Sequence, residues 1–535
     1  MTARRALWVL IGVSGLLRLA WAASLGAGND EAYHYLFTVH RDWSYFDHPP
    51  MLAVVEAAGV ALAGGVVATW TLRLGFVVLF AGSTWLMARL TARFYGERAG
   101  VLAAFALNVT VYYTAAAGAF ALPDGPLLFF WLLTLDRLAA ALDAPHSGRT
   151  WPWVQVGLAW GGALLSKYHA VFLPVGMLLY TLVEPTARRW LRRPGPYVAS
   201  AVGLSAFAPV VGWNATHGWV SFLFQGERAV GHGFHASTLI AALVLPAVYL
   251  FPWIWFRLVS ILWARGRRLF DPETTPAERF LLCQAAPPLA TFLAVACTRP
   301  VLPHWTLVGF LPLFPMLGES WAVALSANPA RFRRKIAVLA ALPVLLGMLI
   351  VFQERTGFFQ RGRPGGLGLV AADADPTTDS VGWDSIVSEL GRRGLLGRSD
   401  TFVFTGNWYQ SGQLAFAARG TGTSVLCYHP WDARSFAFWS RPEEWVGRDG
   451  LLVEVNEQEG SHERYAKWFT SVEPLGSFDV VRGGAAVRRV SLYRCARQTI
   501  AFPFDDLGRT IPRKRHVKTS QVASGTAGRS TERTR

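Results

Sequence analysis

Apolar residues along this chain run in long unbroken blocks rather than at amphipathic spacing, from near the N-terminus to about residue 352. A hydrocarbon core about 30 Å thick takes roughly 20 residues of helix, so blocks of this kind predict membrane spans. They fall at 6–25, 72–92, 99–117, 124–142, 152–165, 169–184, 196–213, 238–263, 278–297, 305–325 and 336–352, about 11 spans in all. The fifth is short, and only Ser166, Lys167 and Tyr168 separate it from the sixth. The stretch 51–68 is rich in Gly and Ala and carries Glu56, and it reads as a surface-lying or re-entrant helix. The first block is long for a signal-peptide core and many spans follow, so it reads as an uncleaved first helix.

Beyond residue 352 the pattern becomes mixed. Strand-like runs at 401–404, 423–428, 450–455 and 485–493 alternate with helical patterns near 383–393, 409–419 and 462–469. That interleaving predicts a small α/β domain. From about Asp506 the chain is rich in Arg, Ser, Thr and Gly and poor in apolar residues, which predicts a disordered basic tail. The expected organisation is a membrane domain over 1–352 with a large first outer loop at 26–71, an α/β domain over 353–505, and the tail over 506–535.

Composition supports this class. Of 535 residues, 52% are hydrophobic and only 16% charged, as in a polytopic α-helical membrane protein. The net charge of +16 does not mark a nucleic-acid protein, because the Lys and Arg sit in short loops between apolar runs and form no single soluble face. With the N-terminus inside, Arg93 and Arg98, Arg149, Arg188 to Arg193, Arg265 to Arg268, and Arg331 to Lys335 all fall on the cytoplasmic side, as lysine and arginine prefer. The outer loops then hold 30–48, the Pro123–Asp124 turn, Lys167, 214–237 and 298–304. An odd number of spans puts the α/β domain outside as well. Four cysteines are too few for a disulfide scaffold, and only Cys427 and Cys495 are placed to pair outside the membrane.

The densest chemistry lies at 29–50, NDEAYHYLFTVHRDWSYFDHPP, with four carboxylates and three imidazoles among aromatics. Ionisable groups at a membrane boundary cost free energy unless they bind something. Group transfer from a lipid-linked phosphate needs a carboxylate to take a proton or stabilise developing charge, and cations for the departing phosphate. On the outer face Asp30, Glu31 and Asp47 are the candidate carboxylates. Lys167 is the candidate cation for the phosphate, Asp47 and His48 can complete a polar floor, and Tyr33 and Asp124 join the lining. Plainer readings stand beside these. Asp30 suits a helix N-cap, DHPP suits a helix start, and a lone lysine at a helix end can snorkel to the interface. The histidines show no H-E-x-x-H spacing. Asp30, Glu31 and Asp47 remain candidate oxygen ligands for a divalent metal.

The string DEAYHYLFTVHRDWSYFDHPP resembles the first outer-loop signature of bacterial GT-C glycosyltransferases. The branch is that of protein O-mannosyltransferases and the lipid A aminoarabinose transferase, glycosyltransferase family 39 in type. PDGPLLFFW (123–131), GLAWGGALLSKYHAVFLP (157–174) and LPHWTLVGFLPLFP (302–315) are similar to further motifs of the group. So are DPTTDSVGWDSI (375–386), GNWYQSGQLAF (406–416) and the region 436–439. The resemblance thus covers about residues 1 to 500. It implies a GT-C fold with an extracytoplasmic α/β domain, and inverting transfer from a polyprenyl-phosphate-linked sugar to a lipid, glycan or protein acceptor at the outer face of a bacterial inner membrane. By the same resemblance Asp30 matches the first-loop aspartate regarded as catalytic, and His304 and Trp305 match a His-Trp step that lines the site. Asp47 and His48 match an acid-plus-basic step before proline whose basic member is lysine in the aminoarabinose enzyme. Histidine at 48 supplies a cation only while its ring stays protonated. A lipid-linked sugar flippase would spread ionisable groups along the depth of several helices, and a non-catalytic glycan-binding membrane protein would tolerate loss of the acidic loop; these are the two rival classes.

Overall fold

The computed structural model describes residues 2–143, 150–457 and 460–504. The predicted tail at 506–535 and Arg149 lie outside the described residues. The helices begin with α1 (Ala3–Ser24), α2 (Asn29–Val39), α3 (Met51–Leu62), α4 (Thr69–Tyr95), α5 (Glu97–Val109), α6 (Val111–Ala115), α7 (Asp124–Asp143), α8 (Trp151–Ser166) and α9 (Phe172–Val183). They continue with α10 (Pro194–Thr216), α11 (Val220–Glu227), α12 (Ala236–Val244), α13 (Pro246–Leu250), α14 (Pro252–Gly266), α15 (Pro276–Ala296), α16 (Leu307–Phe310), α17 (Phe314–Ala327) and α18 (Pro329–Thr356).

Seven helical segments among the described residues are long and apolar enough to cross a bilayer: α1, α4, α7, α10, α15, the run Pro303–Ala327, and α18. An eighth joins them if Tyr168–Val183 and Pro185–Arg192, bent by 118°, form one span. The remaining apolar blocks of the sequence fold as shorter or broken helices. The block at 99–117 breaks at Thr110, and that at 238–263 breaks before Pro246 and Pro252, where proline starts a new helix because its missing N–H is no loss in a first turn. Continuous apolarity therefore does not mean continuous helix. The stretch expected to be re-entrant becomes α3, twelve residues long and packed on α4. The packing is reciprocal: a Cβ on Gly59 would strike the Thr71 carbonyl, and one on Gly75 the Val55 carbonyl. Small residues let the two backbones meet, as is usual between membrane helices.

The C-terminal region carries a five-stranded sheet in the order β2-β1-β3-β5-β4. Its strands are β1 (Thr401–Thr405), β2 (Val425–Cys427), β3 (Asp449–Val455), β4 (Phe469–Arg482) and β5 (Ala485–Gln498). β1 pairs in parallel with β2 and β3, and β5 runs antiparallel to β3 and β4. Four of the strands coincide with the runs read from the sequence. β4 has no such run because it lies at the edge, is largely exposed, and has a register shift at Pro474/Gly476, where an edge strand accepts a proline. The helical pattern at 462–469 folds as a 3₁₀ segment, Ser461–Trp468. Cys427 and Cys495 are buried on β2 and β5. Three strand steps of roughly 4.8 Å put them at least about 14 Å apart, beyond disulfide reach. Helices α19 (Trp383–Arg392) and α20 (Trp408–Ala417) cover the sheet, and α20 packs along α2. Gln413 Nε2 there donates to the Ala27 carbonyl at 2.8 Å. The first loop, with α2, is thus held between the helical bundle and the C-terminal domain.

Candidate active site

The acidic pair at the start of α2 divides into two different environments. The N-cap is Gly28, and its N–H donates to Glu31 Oε2 at 3.0 Å, so the capping anticipated for Asp30 falls to Glu31. Glu31 is buried and receives Arg73 in a fork, Nε to Oε1 at 2.7 Å and Nη2 to Oε2 at 2.5 Å, with the Ala121 N–H on Oε1 at 2.8 Å. Arg73 also donates to the carbonyls of Ala22, Leu25 and Gly26, tying the end of α1 to α2 and α4. Burial acts to raise the Glu31 carboxyl, but Arg73 and the two N–H donors outweigh it and hold it below the ordinary value. Every oxygen of Glu31 is engaged in architecture. Asp30, one residue earlier, is exposed and has no hydrogen-bond or ion-pair partner among the described residues. It sits in the first turn of α2, where the positive end of the helix favours an anion.

Asp47 is also buried and paired. Arg434 Nη1 donates to its Oδ2 at 3.0 Å and the Tyr33 hydroxyl to its Oδ1 at 3.4 Å. Arg434 comes from the C-terminal domain, has a left-handed backbone (φ +50°), and lies 3.6 Å over the Trp408 ring. Asp30 and Asp47 both act on its charge. Burial would raise the Asp47 carboxyl; positive charge from His48 when protonated, and from Arg434 always, prevails and keeps it low. Tyr33, expected at the substrate, is fully enclosed and also accepts the Ser435 N–H at 3.1 Å. It braces the wall rather than lining the opening. The half-buried His48 ring stands edge-on to His34, centroids 5.4 Å apart. Burial pushes His48 down to about 3 despite Asp47, so the ring is neutral at physiological pH. Position 48 therefore carries no permanent cation.

A third group forms where α7 and α8 meet. Lys167 ends α8 and its Nζ lies 2.8 Å from Asp124 Oδ1, which also accepts the Tyr112 hydroxyl at 2.5 Å. The lysine is thus an ion-paired, buried cation, not a snorkelling one. The His304 ring stacks on Tyr112 at 6.1 Å, and Trp305 receives the Arg228 guanidinium at 5.2 Å. Lys167 acts electrostatically on His48, and Arg228 feels both Asp47 and Arg434, so these groups lie within electrostatic range of one another.

Arg73, Arg228, Arg434 and Tyr112 escaped the sequence reading, because each acquires its meaning from a partner distant in the chain. Arg228 is distinctive: among the described residues its guanidinium makes no hydrogen bond or ion pair, and it lies over the Trp305 and Phe224 rings. Among those residues no group of three or more His, Cys, Asp or Glu is arranged to hold a metal ion. Glu31 and Asp47 are committed to guanidinium groups instead, so the three candidate metal ligands do not converge.

Residues 47–213 match the family described as dolichyl-phosphate-mannose-protein mannosyltransferase. The lipid A galacturonosyltransferase RgtD of Rhizobium johnstonii is 30% identical over 189 residues, which are 35% of this chain and 38% of that protein. The chain thus spans well under half the length of that relative. Among solved structures, ArnT from Cupriavidus metallidurans in its apo state matches with a TM-score of 0.56 at 17% identity, over 92% of this chain and 98% of that one. The same protein bound to undecaprenyl phosphate matches with a TM-score of 0.55, over 91% of this chain and 98% of that one.

Proposed function

We infer that this chain, a glycosyltransferase of the GT-C type by its sequence matches and fold, moves a sugar from a polyprenyl-phosphate-linked donor to a lipid, glycan or protein acceptor. The observation that carries the reading is the free carboxylate of Asp30. Of the three first-loop acids assigned to catalysis, Glu31 and Asp47 are spent on arginines, and Asp30 alone is exposed and unpaired among the described residues, within electrostatic range of Arg434. A similar fold solved with undecaprenyl phosphate supports the class of donor.

In this reading the acceptor oxygen attacks the anomeric carbon as the bond to the departing phosphate oxygen breaks, inverting the centre. The polyprenyl phosphate leaves with the electron pair, and a hydroxyl acceptor gives its proton to Asp30. With a phosphate acceptor no base is required, and Asp30 acts by stabilising positive charge at the sugar. Arg228, braced on Trp305 and without an ion-pair partner among the described residues, and Lys167 receive the leaving phosphate, since charge-assisted bonds to phosphate are the strong ones. His48 is a neutral lining group. Glu31 is a positioning residue, and Asp47 holds the C-terminal domain through Arg434. The basic loops orient the site and the 353–505 domain to the extracytoplasmic side of a bacterial inner membrane, with eleven crossings if the broken apolar blocks also traverse it.

The test is transfer from a radiolabelled polyprenyl-phosphate sugar in membranes. Replacing Asp30 with Asn should remove at least 99% of transfer, the roughly 10²-fold lower end of a general-base contribution, while the protein stays folded. Near-normal activity would overturn its role, and an absence of any transfer by the unaltered protein with all donors would favour a flippase or a glycan-binding protein.

A further inference from the structure

Along α8 from Lys167, with walls from Trp160 to Trp153 that lie roughly 10 to 21 Å of helix away, helices α7 to α10 border a separate cavity of about 280 Å³. Trp153, Trp160, Met177, Leu178, Trp190 and Tyr197 contribute to its walls. Of the four hydroxyls that reach it, three are already bonded: Thr134 to the Phe130 carbonyl, Thr181 to that of Leu178, and Tyr197 to that of Leu191; the fourth is that of Ser200. So largely apolar a lining suits an apolar occupant. Leu178 and Tyr197 are 52% and 60% exposed, so the cavity opens on the outside of the helical bundle, where lipid chains would lie.

A second observation concerns the rim. After α9 the chain bends by 118° and runs as the short helical segment Pro185–Arg192. This segment turns Ala187 and Trp190 inward and leaves Arg188, Arg189 and Arg192 exposed. The guanidinium groups of Arg189 and Arg193 lie 5.7 and 5.4 Å over the ring of Trp190, itself a wall of the cavity. Apolar slot and cationic edge are therefore joined through one side chain. They sit on the basic-loop side of the molecule, far from Asp30.

We propose that this cavity and its arginine rim bind one anionic phospholipid of the leaflet on the basic-loop side, with an acyl chain among Trp153, Trp160 and Met177 and the phosphate against Arg192 and Arg193. Basic pockets between membrane helices recognise anionic headgroups in this way. The site is independent of the transfer reaction proposed above and stands if that reading fails.

The experiment is native mass spectrometry of the purified full-length protein, titrated with phosphatidylglycerol and with phosphatidylcholine of the same chains. One equivalent of phosphatidylglycerol should bind well ahead of phosphatidylcholine. Arg192→Ala with Arg193→Ala should weaken it roughly 30-fold, about fivefold per basic residue. The paired control Arg331→Ala with Arg333→Ala should leave it unchanged. Met177→Trp, or Ser200→Phe as a second filler should the first misfold, should abolish the tight equivalent. Equal binding of the two lipids, an equal effect of the control pair, or no effect of a folded filler would each mean annular lipid only and overturn the proposal.

Discussion

Replacing Arg73 with methionine keeps much of its bulk and leaves Glu31 as a buried carboxylate with only two N–H donors. Five hydrogen bonds from the guanidinium disappear: two to Glu31 and one each to the carbonyls of Ala22, Leu25 and Gly26. Removing one member of a buried ion pair costs roughly 3–5 kcal/mol, because the remaining charge stays desolvated. Glu31→Gln should cost less, about 1.5–3 kcal/mol, since the amide oxygen can still accept from Gly28 and Ala121 while the charge-assisted fork is lost. In the double variant no buried charge remains. The pair should therefore fall short of additivity by up to roughly 3 kcal/mol, the range found for residues in contact. The assay is apparent thermal stability of the full chain in detergent across this cycle, with sugar transfer expressed per folded molecule. Because Glu31 titrates low in the fold, its contribution is complete above the unfolded carboxyl's value near 4.3 and fades only as pH falls below it toward the folded value. A Glu31→Gln protein as stable as the parent yet devoid of transfer would refute the architectural role and return Glu31 to the chemistry. Strict additivity would refute the energetic coupling.

Two further outcomes follow from the site. Arg228→Ala should raise the donor KM about 10–100-fold, the size of a charge-assisted bond of roughly 1.5–3 kcal/mol, with a smaller change in kcat; an unaltered donor KM would remove Arg228 from the phosphate site. His48→Gln should flatten the acid side of the stability profile. The folded ring titrates at about 3 and the unfolded ring near 6.5, so as pH falls below about 6.5 the unfolded chain takes up the proton first and the native protein loses stability; identical slopes of apparent Tm between pH 6.5 and 4.5 in parent and variant would contradict a neutral His48.

Much of the architecture is legible in the linear pattern, because spanning a bilayer demands long apolar runs. The acidic first loop and four of the five strands are readable from residues close together in sequence. Helix continuity is not. The breaks at Thr110, Pro246 and Pro252 leave the apolar blocks intact while dividing the helices. β4 is hidden because an edge strand needs only one paired side and therefore tolerates Pro474 and Gly476.

At the site the sequence by itself determined that acids, imidazoles and a lysine would gather at one end of a helical bundle, and its motifs named the family they resemble. Only the tertiary structure decided which of the acids is available. Glu31 is claimed by an arginine 42 residues away and Asp47 by one 387 residues away, whereas Asp30, one residue before Glu31, has no hydrogen-bond or ion-pair partner among the described residues. A carboxylate's availability depends on whether a guanidinium is brought within about 3 Å of it, and that contact exists only once the outer loop is closed between the helical bundle and the C-terminal domain.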